Sequence, residues 1–101
     1  MIHSRTDQDG ATIFRVQGEL DALSAAELRP ALDRLVSDAR LDVTVDLAEL
    51  RLIDSSGVGA LVALYKRVRA AGGAVRFVGV TAQPLLIFKL LRLDMVFELA
   101  G

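Results

Sequence analysis

The chain has 101 residues, 52% of them hydrophobic and 25% charged, and it carries a formal net charge of −1. This length and apolar content predict a single domain over residues 1–101, with a hydrophobic core of its own. The near-neutral charge gives no electrostatic reason to expect binding to nucleic acid or to an anionic membrane. Cysteine is absent, which excludes disulfides, thiolate catalysis and cysteine-ligated metals.

The sequence carries no sign of export or of membrane insertion. Residues 1–7 lack the apolar core of a signal peptide. Lys66 and Arg67 interrupt the best apolar run, so we expect no direct insertion into a membrane. Together with the absence of cysteine, these features predict a cytoplasmic protein.

The N-terminal part of the chain has the pattern of a β-hairpin. Residues 2–6 predict a short edge strand, and the Asp-Gly pair at 9–10 is a typical hairpin turn. Residues 11–17 predict a second strand that is buried on both faces for part of its length. We expect this strand to end at residues 18–21, Gly-Glu-Leu-Asp.

The next segment predicts the first helix, beginning at Ser24. Ser24 and Glu27 have the spacing of a capping box with Ser24 at the N-cap, and apolar residues then recur at helical spacing. Pro30 removes one backbone donor, so we expect the helix to kink or to start afresh there.

Residues 42–80 alternate between strand and helix patterns. Residues 42–47 predict a strand from their β-branched content, and residues 48–54 predict a loop. The second helix is predicted over residues 55–71, with an apolar stripe on one face. Another strand is predicted over residues 74–80.

The last predicted elements are a third helix and a closing strand. Thr81 is a candidate cap for this helix, and Pro84 is acceptable in its first turn. Residues 95–99 predict a short final strand. The resulting order, β-β-α-β-α-β-α-β, predicts an α/β domain with a mixed, mostly parallel, five-stranded sheet and three helices.

The third helix is apolar nearly all round. No single face can hide all of its large side chains, which are Leu85, Leu86, Ile87, Phe88, Leu90, Leu91 and Leu93. They could be buried by the sheet and the C-terminal residues, or they could leave an exposed patch that contacts a partner or a second copy of the chain. The sequence leaves these alternatives, including a homodimer, open.

Signals for catalysis are nearly absent. His3 is the only histidine, and its place near the chain terminus argues against a catalytic pair with Ser55. Asp42 and Asp46 are interpreted as exposed charges at the ends of a strand rather than as metal ligands. No phosphate-loop or dinucleotide-binding glycine pattern occurs. We therefore expect no enzyme activity, no metal and no cofactor.

Residues 53–59, Ile-Asp-Ser-Ser-Gly-Val-Gly, are the most informative segment of the chain. Asp54, Ser55 and Ser56 crowd one helix start, although a cap needs only one such residue. At least one hydroxyl is therefore expected to be free, unless these residues serve only to cap the helix. A phosphate added there meets free backbone N–H groups and the positive end of the helix dipole, so the fold survives while the surface gains negative charge.

Two glycines follow these serines. Gly59 is interpreted as allowing the start of the helix to approach the sheet closely. The role of Gly57 is left open between the same packing and a functional contact.

Two motifs closely resemble the STAS domain family, and within it the bacterial anti-sigma factor antagonists. The first is Gly-Glu-Leu-Asp at residues 18–21. The second joins Val-Asp-Leu at residues 45–47 to residues 53–59 and continues into the amphipathic helix. The resemblance covers residues 2–99 and includes the order and spacing of the predicted elements.

The resemblance implies a partner switch. In the family, the unphosphorylated antagonist binds a serine kinase that is also the anti-sigma factor, and this frees the sigma factor. The kinase phosphorylates the serine directly after the motif aspartate, here Ser55, which weakens the complex until a metal-dependent serine phosphatase resets it. By the same resemblance, Asp54, Ser56 and Gly57 shape the phosphorylation site, and Asp21 lies beside it on the partner-binding surface.

The chain departs from the family pattern in three places. Leu52 stands where relatives often have an aromatic residue, and Pro30 interrupts the first helix. The sequence also ends soon after the last predicted strand, where many relatives add a closing helix.

Three other functions are compatible with the same residues. The runner-up is a STAS accessory subunit of a lipid-transporting membrane complex, and a partner switch could also control an output such as secretion. A small nucleotide-binding or hydrolytic protein is the weakest alternative, because the chain has no phosphate-loop lysine.

Overall fold

A computed structural model describes residues 2–38 and 42–99, and this part of the chain forms five strands and four helices. The strands are β1 (Ile2–Gln8), β2 (Ala11–Leu20), β3 (Asp42–Asp46), β4 (Leu50–Ile53) and β5 (Ala74–Val78). The helices are α1 (Ala22–Ser37), α2 (Ser55–Ala70), α3 (Ala82–Leu90) and α4 (Leu93–Val96).

The five strands form one mixed sheet. Its order is β1-β2-β3-β5, and β4 pairs with the end of β2. The hairpin of β1 and β2 is antiparallel, whereas β2–β3, β3–β5 and β2–β4 are parallel pairs. The predicted α/β fold with a mixed, mostly parallel, five-stranded sheet is therefore confirmed, with four helices in place of the predicted three.

The core lies against one face of this sheet. Along β2, Thr12, Phe14 and Val16 are buried, while Ile13 and Arg15 between them are exposed. The strands β3 and β5 alternate in the same way, and α1 and α2 pack on each other and on the sheet. The prediction that β2 is buried on both faces for part of its length is wrong, because Ile13 and Arg15 on its second face are exposed.

The helix α1 begins at Ala22, and its N-cap lies three residues earlier than predicted. Its N-cap is Asp21, and Ser24 occupies the third helical position. The capping box is therefore formed by Asp21 and Ser24, and the prediction that Ser24 and Glu27 form it is wrong. Ser24 belongs to both sequence patterns, which is why the local sequence points to two helix starts.

Pro30 lies inside α1, and the helix continues through it without a fresh start. Proline cannot donate the backbone hydrogen bond of its turn. Leu28 and Leu32, on either side of it, are both buried against the sheet side of the helix. Tertiary packing of this apolar face stabilises the helix across the missing hydrogen bond.

The strand β4 falls in the segment predicted to be a loop. It runs parallel to the end of β2, with Gly18 opposite Leu50 and Leu20 opposite Ile53. Only its first and last residues are buried, so the segment lacks the alternation that indicates a strand. Hydrogen bonding to β2 makes this segment a strand.

The predicted final strand over residues 95–99 is wrong, because α4 (Leu93–Val96) occupies this place. Phe97, directly after α4, is buried. Its ring stacks on Phe77 of β5 with centroids 4.1 Å apart and meets Phe88 of α3 edge-on at 5.6 Å. The aromatic cluster fixes this segment by packing rather than by strand pairing.

The outer side of α3 and α4 is exposed. Pro84 and Phe88 are the buried residues of α3. The exposed large apolar side chains of this region are Leu86, Leu90, Leu91, Met95 and Val96, which we call the apolar patch. Of the alternatives that the sequence left open, the protein shows an exposed patch rather than complete burial.

Candidate functional site

Two helices begin side by side, at the carboxyl-terminal ends of two neighbouring parallel strands. The parallel strands β2 and β4 end opposite each other, at Leu20 and Ile53. The backbone N–H of Asp54 donates to the carbonyl oxygen of Leu20 at 3.1 Å, which extends this pairing by one step. The caps of α1 and α2, Asp21 and Asp54, therefore follow neighbouring strands.

Asp21 is fixed by Ser24. The carboxylate Oδ1 of Asp21 accepts from the Ser24 N–H at 3.0 Å, and the Asp21 N–H donates to the Ser24 hydroxyl oxygen at 2.8 Å. The Ser24 hydroxyl also lies 2.9 Å from the carbonyl oxygen of Glu19. The pKa of the exposed Asp21 carboxyl lies below its ordinary value, mainly because the Ser24 backbone N–H donates to it and secondly because the Ser24 hydroxyl does.

Asp54 is the N-cap of α2. Its Oδ1 accepts from the Gly57 N–H at 3.1 Å, and its carbonyl oxygen accepts from the Val58 N–H at 3.0 Å. Because Asp54 fills this role, neither serine hydroxyl is needed to cap the helix. Ser55 and Ser56 are the first two residues of α2 and are both exposed. The predicted free hydroxyl at this helix start is therefore observed.

Gly57 is the glycine that lets α2 approach the sheet. A Cβ on Gly57 would lie 2.5 Å from the carbonyl oxygen of Leu20 and 2.8 Å from Cγ1 of Ile53. A Cβ on Gly59 would meet nothing within 4 Å. The interpretation of Gly59 as the packing glycine is wrong, and the open question about Gly57 is answered in favour of close packing.

Gln83 of α3 belongs to this site, and the sequence analysis missed it. Its side-chain Oε1 accepts from the Ile53 N–H at 2.9 Å, and its Nε2 donates to the Ile53 carbonyl oxygen at 2.9 Å. Gln83 thus binds the residue directly before Asp54. A polar residue in the first turn of a mostly apolar helix was the signal, and the sequence does not say what it contacts.

Two hollows lie near the starts of α1 and α2, and Ser56 lines one of them. One, of about 300 Å³, is lined by Glu19, Asp21, Glu27 and Arg51 among others, so acidic groups predominate there. The other is a groove of about 650 Å³ between α1 and α2. Small side chains line much of it, including Ala22, Ala26, Ser56, Gly59 and Ala63. The predicted partner-binding residues Asp21 and Ser56 therefore face two different hollows.

The histidine and the acidic residues lie apart from this site or in scattered positions in the part of the chain that the structure describes. His3 lies in β1, where its ring stacks on Phe14 with centroids 5.6 Å apart, so it is not at a frayed end. Over residues 2–38 and 42–99, no group of three or more His, Asp or Glu side chains is placed to hold a metal ion. Within the same ranges no helix is both long and apolar enough to traverse a bilayer.

Comparison with known proteins identifies the family. The model of the STAS domain matches residues 4–100. The chain belongs to the STAS domain family. The end of β2 and the start of α2, with its two serines, lie inside the matched region of this STAS domain.

The relatives of this STAS domain are named as regulators of sigma factors. It is 28% identical to the anti-sigma-B factor antagonist of Listeria monocytogenes over 93 residues, covering 92% of this chain and 81% of that protein. It is 29% identical to the anti-sigma-F factor antagonist RsfB of Mycobacterium tuberculosis over 96 residues, covering 92% of this chain and 75% of that protein. The crystal structure of an anti-sigma factor antagonist from Mycobacterium paratuberculosis matches with a TM-score of 0.88 and 26% identity, covering 99% of this chain and 85% of that one.

Proposed function

We propose that this protein is an anti-sigma factor antagonist that acts by partner switching. The unphosphorylated protein binds a serine kinase that is also the anti-sigma factor, and the sigma factor is released. The kinase then phosphorylates Ser55, which weakens the complex, and a metal-dependent serine phosphatase removes the phosphate. Membership of the STAS domain family and the names of the relatives support this proposal.

The observation that carries the proposal is the exposed Ser55 hydroxyl beside a helix cap already filled by Asp54. A phosphate on Ser55 has the N–H groups of Ser55 and Ser56 within the first turn of α2, and these have no partner inside the helix. The helix dipole also favours negative charge there. Phosphorylation is therefore compatible with the folded STAS domain.

The same phosphate changes what can bind. It adds nearly two negative charges next to the Asp54 carboxylate, at an edge of the sheet that also carries Glu19 and Asp21. A partner that fits this surface before phosphorylation then meets repulsion and a bulkier group. In this proposal Asp21 and Ser56 border the surface that the partner contacts. Gly57 keeps α2 packed closely against β2.

The first experiment is intact-mass analysis of the pure protein after incubation with candidate serine kinases and ATP. We expect a kinase that adds one phosphate to the wild type and to Ser56→Ala, and none to Ser55→Ala. Ser56→Ala is the matched control because it removes the neighbouring exposed hydroxyl from the same turn. Phosphorylation of Ser55→Ala at an unchanged level would overturn the assignment of Ser55.

The second experiment measures binding to the kinase found in this way. Ser55→Ala should bind as tightly as the unphosphorylated wild type, and Ser55→Asp should bind more weakly because it carries a permanent charge. Equal affinity of the two variants contradicts the switch. Co-purification with a membrane transporter and no phosphoserine would instead support the accessory-subunit alternative, and kinase binding without release of a sigma factor would support another output such as secretion.

A further inference from the structure

The strand β4 is completed by a side chain rather than by another strand. Its pairing with β2 occupies one edge. On its other edge, the amide group of Gln83 accepts from the Ile53 N–H and donates to the Ile53 carbonyl oxygen, both at 2.9 Å. A primary amide has one acceptor and two donors in one plane, so it replaces the peptide group that a neighbouring strand would supply.

These two bonds fix the backbone that leads into the serines. The Asp54 N–H is held by the Leu20 carbonyl oxygen of β2 at 3.1 Å. The preceding residue, Ile53, is held from the opposite side by Gln83. Ser55 therefore follows a dipeptide that is bound on both edges, by β2 and by α3.

The chain around Gln83 is itself tightly placed. Ala82 has a φ of 53°, a left-handed conformation that is unfavourable for a residue with a Cβ. Gly79 has a φ of 74°, and a Cβ on it would lie 2.9 Å from Cβ of Ala48 in the link between β3 and β4. A left-handed conformation at a non-glycine residue such as Ala82 persists only where the surrounding structure enforces it. The turn that leads to Gln83 therefore packs closely, at Gly79, against Ala48 in the segment that precedes β4.

We propose that Gln83 is a positioning residue for Ser55: its amide holds the backbone of Ile53 so that the serine is presented in the geometry that a kinase accepts. Gln83 acts through Ile53 and takes no part in phosphoryl transfer. The inference rests on the proposed phosphorylation of Ser55. A kinase that accepts only this held conformation meets it less often when the turn is loosened, so the KM for this protein as a substrate rises.

The test compares the wild type with three variants. Gln83→Met keeps the size of the side chain and removes both hydrogen bonds, while Gln83→Glu keeps an acceptor for the Ile53 N–H and loses the donor. Gln17→Met is the matched control, because the Gln17 amide donates to the Glu49 carboxylate at 2.7 Å, whereas the backbone groups of Ile53 bond to Gln83. Each protein is checked for a native far-ultraviolet circular dichroism spectrum, and Gln83→Glu serves alone if Gln83→Met does not fold.

Two readouts are taken on these proteins. Amide hydrogen exchange of the free protein reports on Ile53 without any kinase, and initial rates with ATP and the kinase that phosphorylates the wild type give KM and kcat. We expect Ile53 to exchange about fivefold faster in Gln83→Met, the effect of losing one ordinary hydrogen bond, and the KM to rise by a similar factor with little change in kcat. Gln83→Glu should lie between Gln83→Met and the wild type, and Gln17→Met should match the wild type.

The outcomes separate this inference from the proposed function. Equal Ile53 exchange in the wild type and Gln83→Met overturns the positioning role, whatever the kinase does. Faster exchange with an unchanged KM overturns the link between the held backbone and phosphorylation. If no serine kinase modifies the wild type, the proposed function fails, and the exchange measurement still decides whether Gln83 holds the turn.

Discussion

Leu20 and Ile53 lie opposite each other at the ends of two parallel strands, and both are buried. This pair places the caps of α1 and α2, Asp21 and Asp54, after neighbouring strand ends. It also presses α2 so closely to β2 that only glycine fits at position 57. The arrangement holds the exposed Ser55 at a rigid edge of the sheet, which suits a switch that changes charge without unfolding.

The two glycines at the start of α2 should respond to alanine in opposite directions. Gly57→Ala forces Cβ within 2.5 Å of the Leu20 carbonyl oxygen. We expect it to lower the free energy of unfolding by about 1–3 kcal/mol. Gly59→Ala, in open space within the helix, should raise it by about 0.5–1 kcal/mol. Urea unfolding followed by circular dichroism measures both, and a Gly57→Ala protein as stable as the wild type would contradict the close approach.

Acid stability should report on the Asp21 cap. The Ser24 hydrogen bonds lower the pKa of Asp21, so the folded state favours the carboxylate. The stability gained in this way is present above the unfolded-state pKa and is lost as the pH falls through the lower folded-state pKa. Asp21→Asn keeps a capping oxygen but does not titrate.

We therefore expect the unfolding free energy of the wild type, relative to Asp21→Asn, to be constant near neutral pH and to decline below about pH 4. Urea unfolding at a series of pH values measures it. Asp42→Asn, at an exposed carboxyl at the start of β3, is the control for the removal of one charge. Wild-type and Asp21→Asn curves that stay parallel through the acid range would show that the cap does not favour the charged form.

Ser55→Asp should remain folded. The new carboxylate at the first position of α2 gains from the helix dipole and is opposed by the Asp54 carboxylate nearby. These effects partly cancel, so we expect the free energy of unfolding to stay within about 1 kcal/mol of the wild type. Circular dichroism and urea unfolding test this, and a largely unfolded Ser55→Asp protein would mean that its weak kinase binding says nothing about a switch.

Two residues of α3 test which side of that helix is in the core. Phe88 is fully buried, whereas Leu90 is 69% exposed in the apolar patch. Phe88→Ala should lower the free energy of unfolding by about 3–5 kcal/mol, because it leaves a cavity among Phe77 and Phe97. Leu90→Gln should change it by less than about 0.5 kcal/mol. A large loss for Leu90→Gln, measured by urea unfolding, would show that the patch is covered in solution.

Several features of the fold followed from local sequence. The helix α2 was predicted because its apolar residues keep one period over many residues. The crowded start of α2 was also predicted, because capping involves only the few residues around Asp54. Where two local patterns share Ser24, the sequence was ambiguous, and the end of β2 at Leu20 decided in favour of Asp21.

By itself, the sequence determined that Asp54 and two serines begin an amphipathic helix after a β-rich segment. Only the tertiary structure decided that Leu50–Ile53 is a strand, that residues 93–96 are helical, and that Gln83 holds Ile53. Each of these depends on a partner far along the chain: β2 for β4, Phe77 for the segment at Phe97, and a residue 30 positions away for Gln83. Local propensity carries no information about such partners, because chain folding alone brings them into contact.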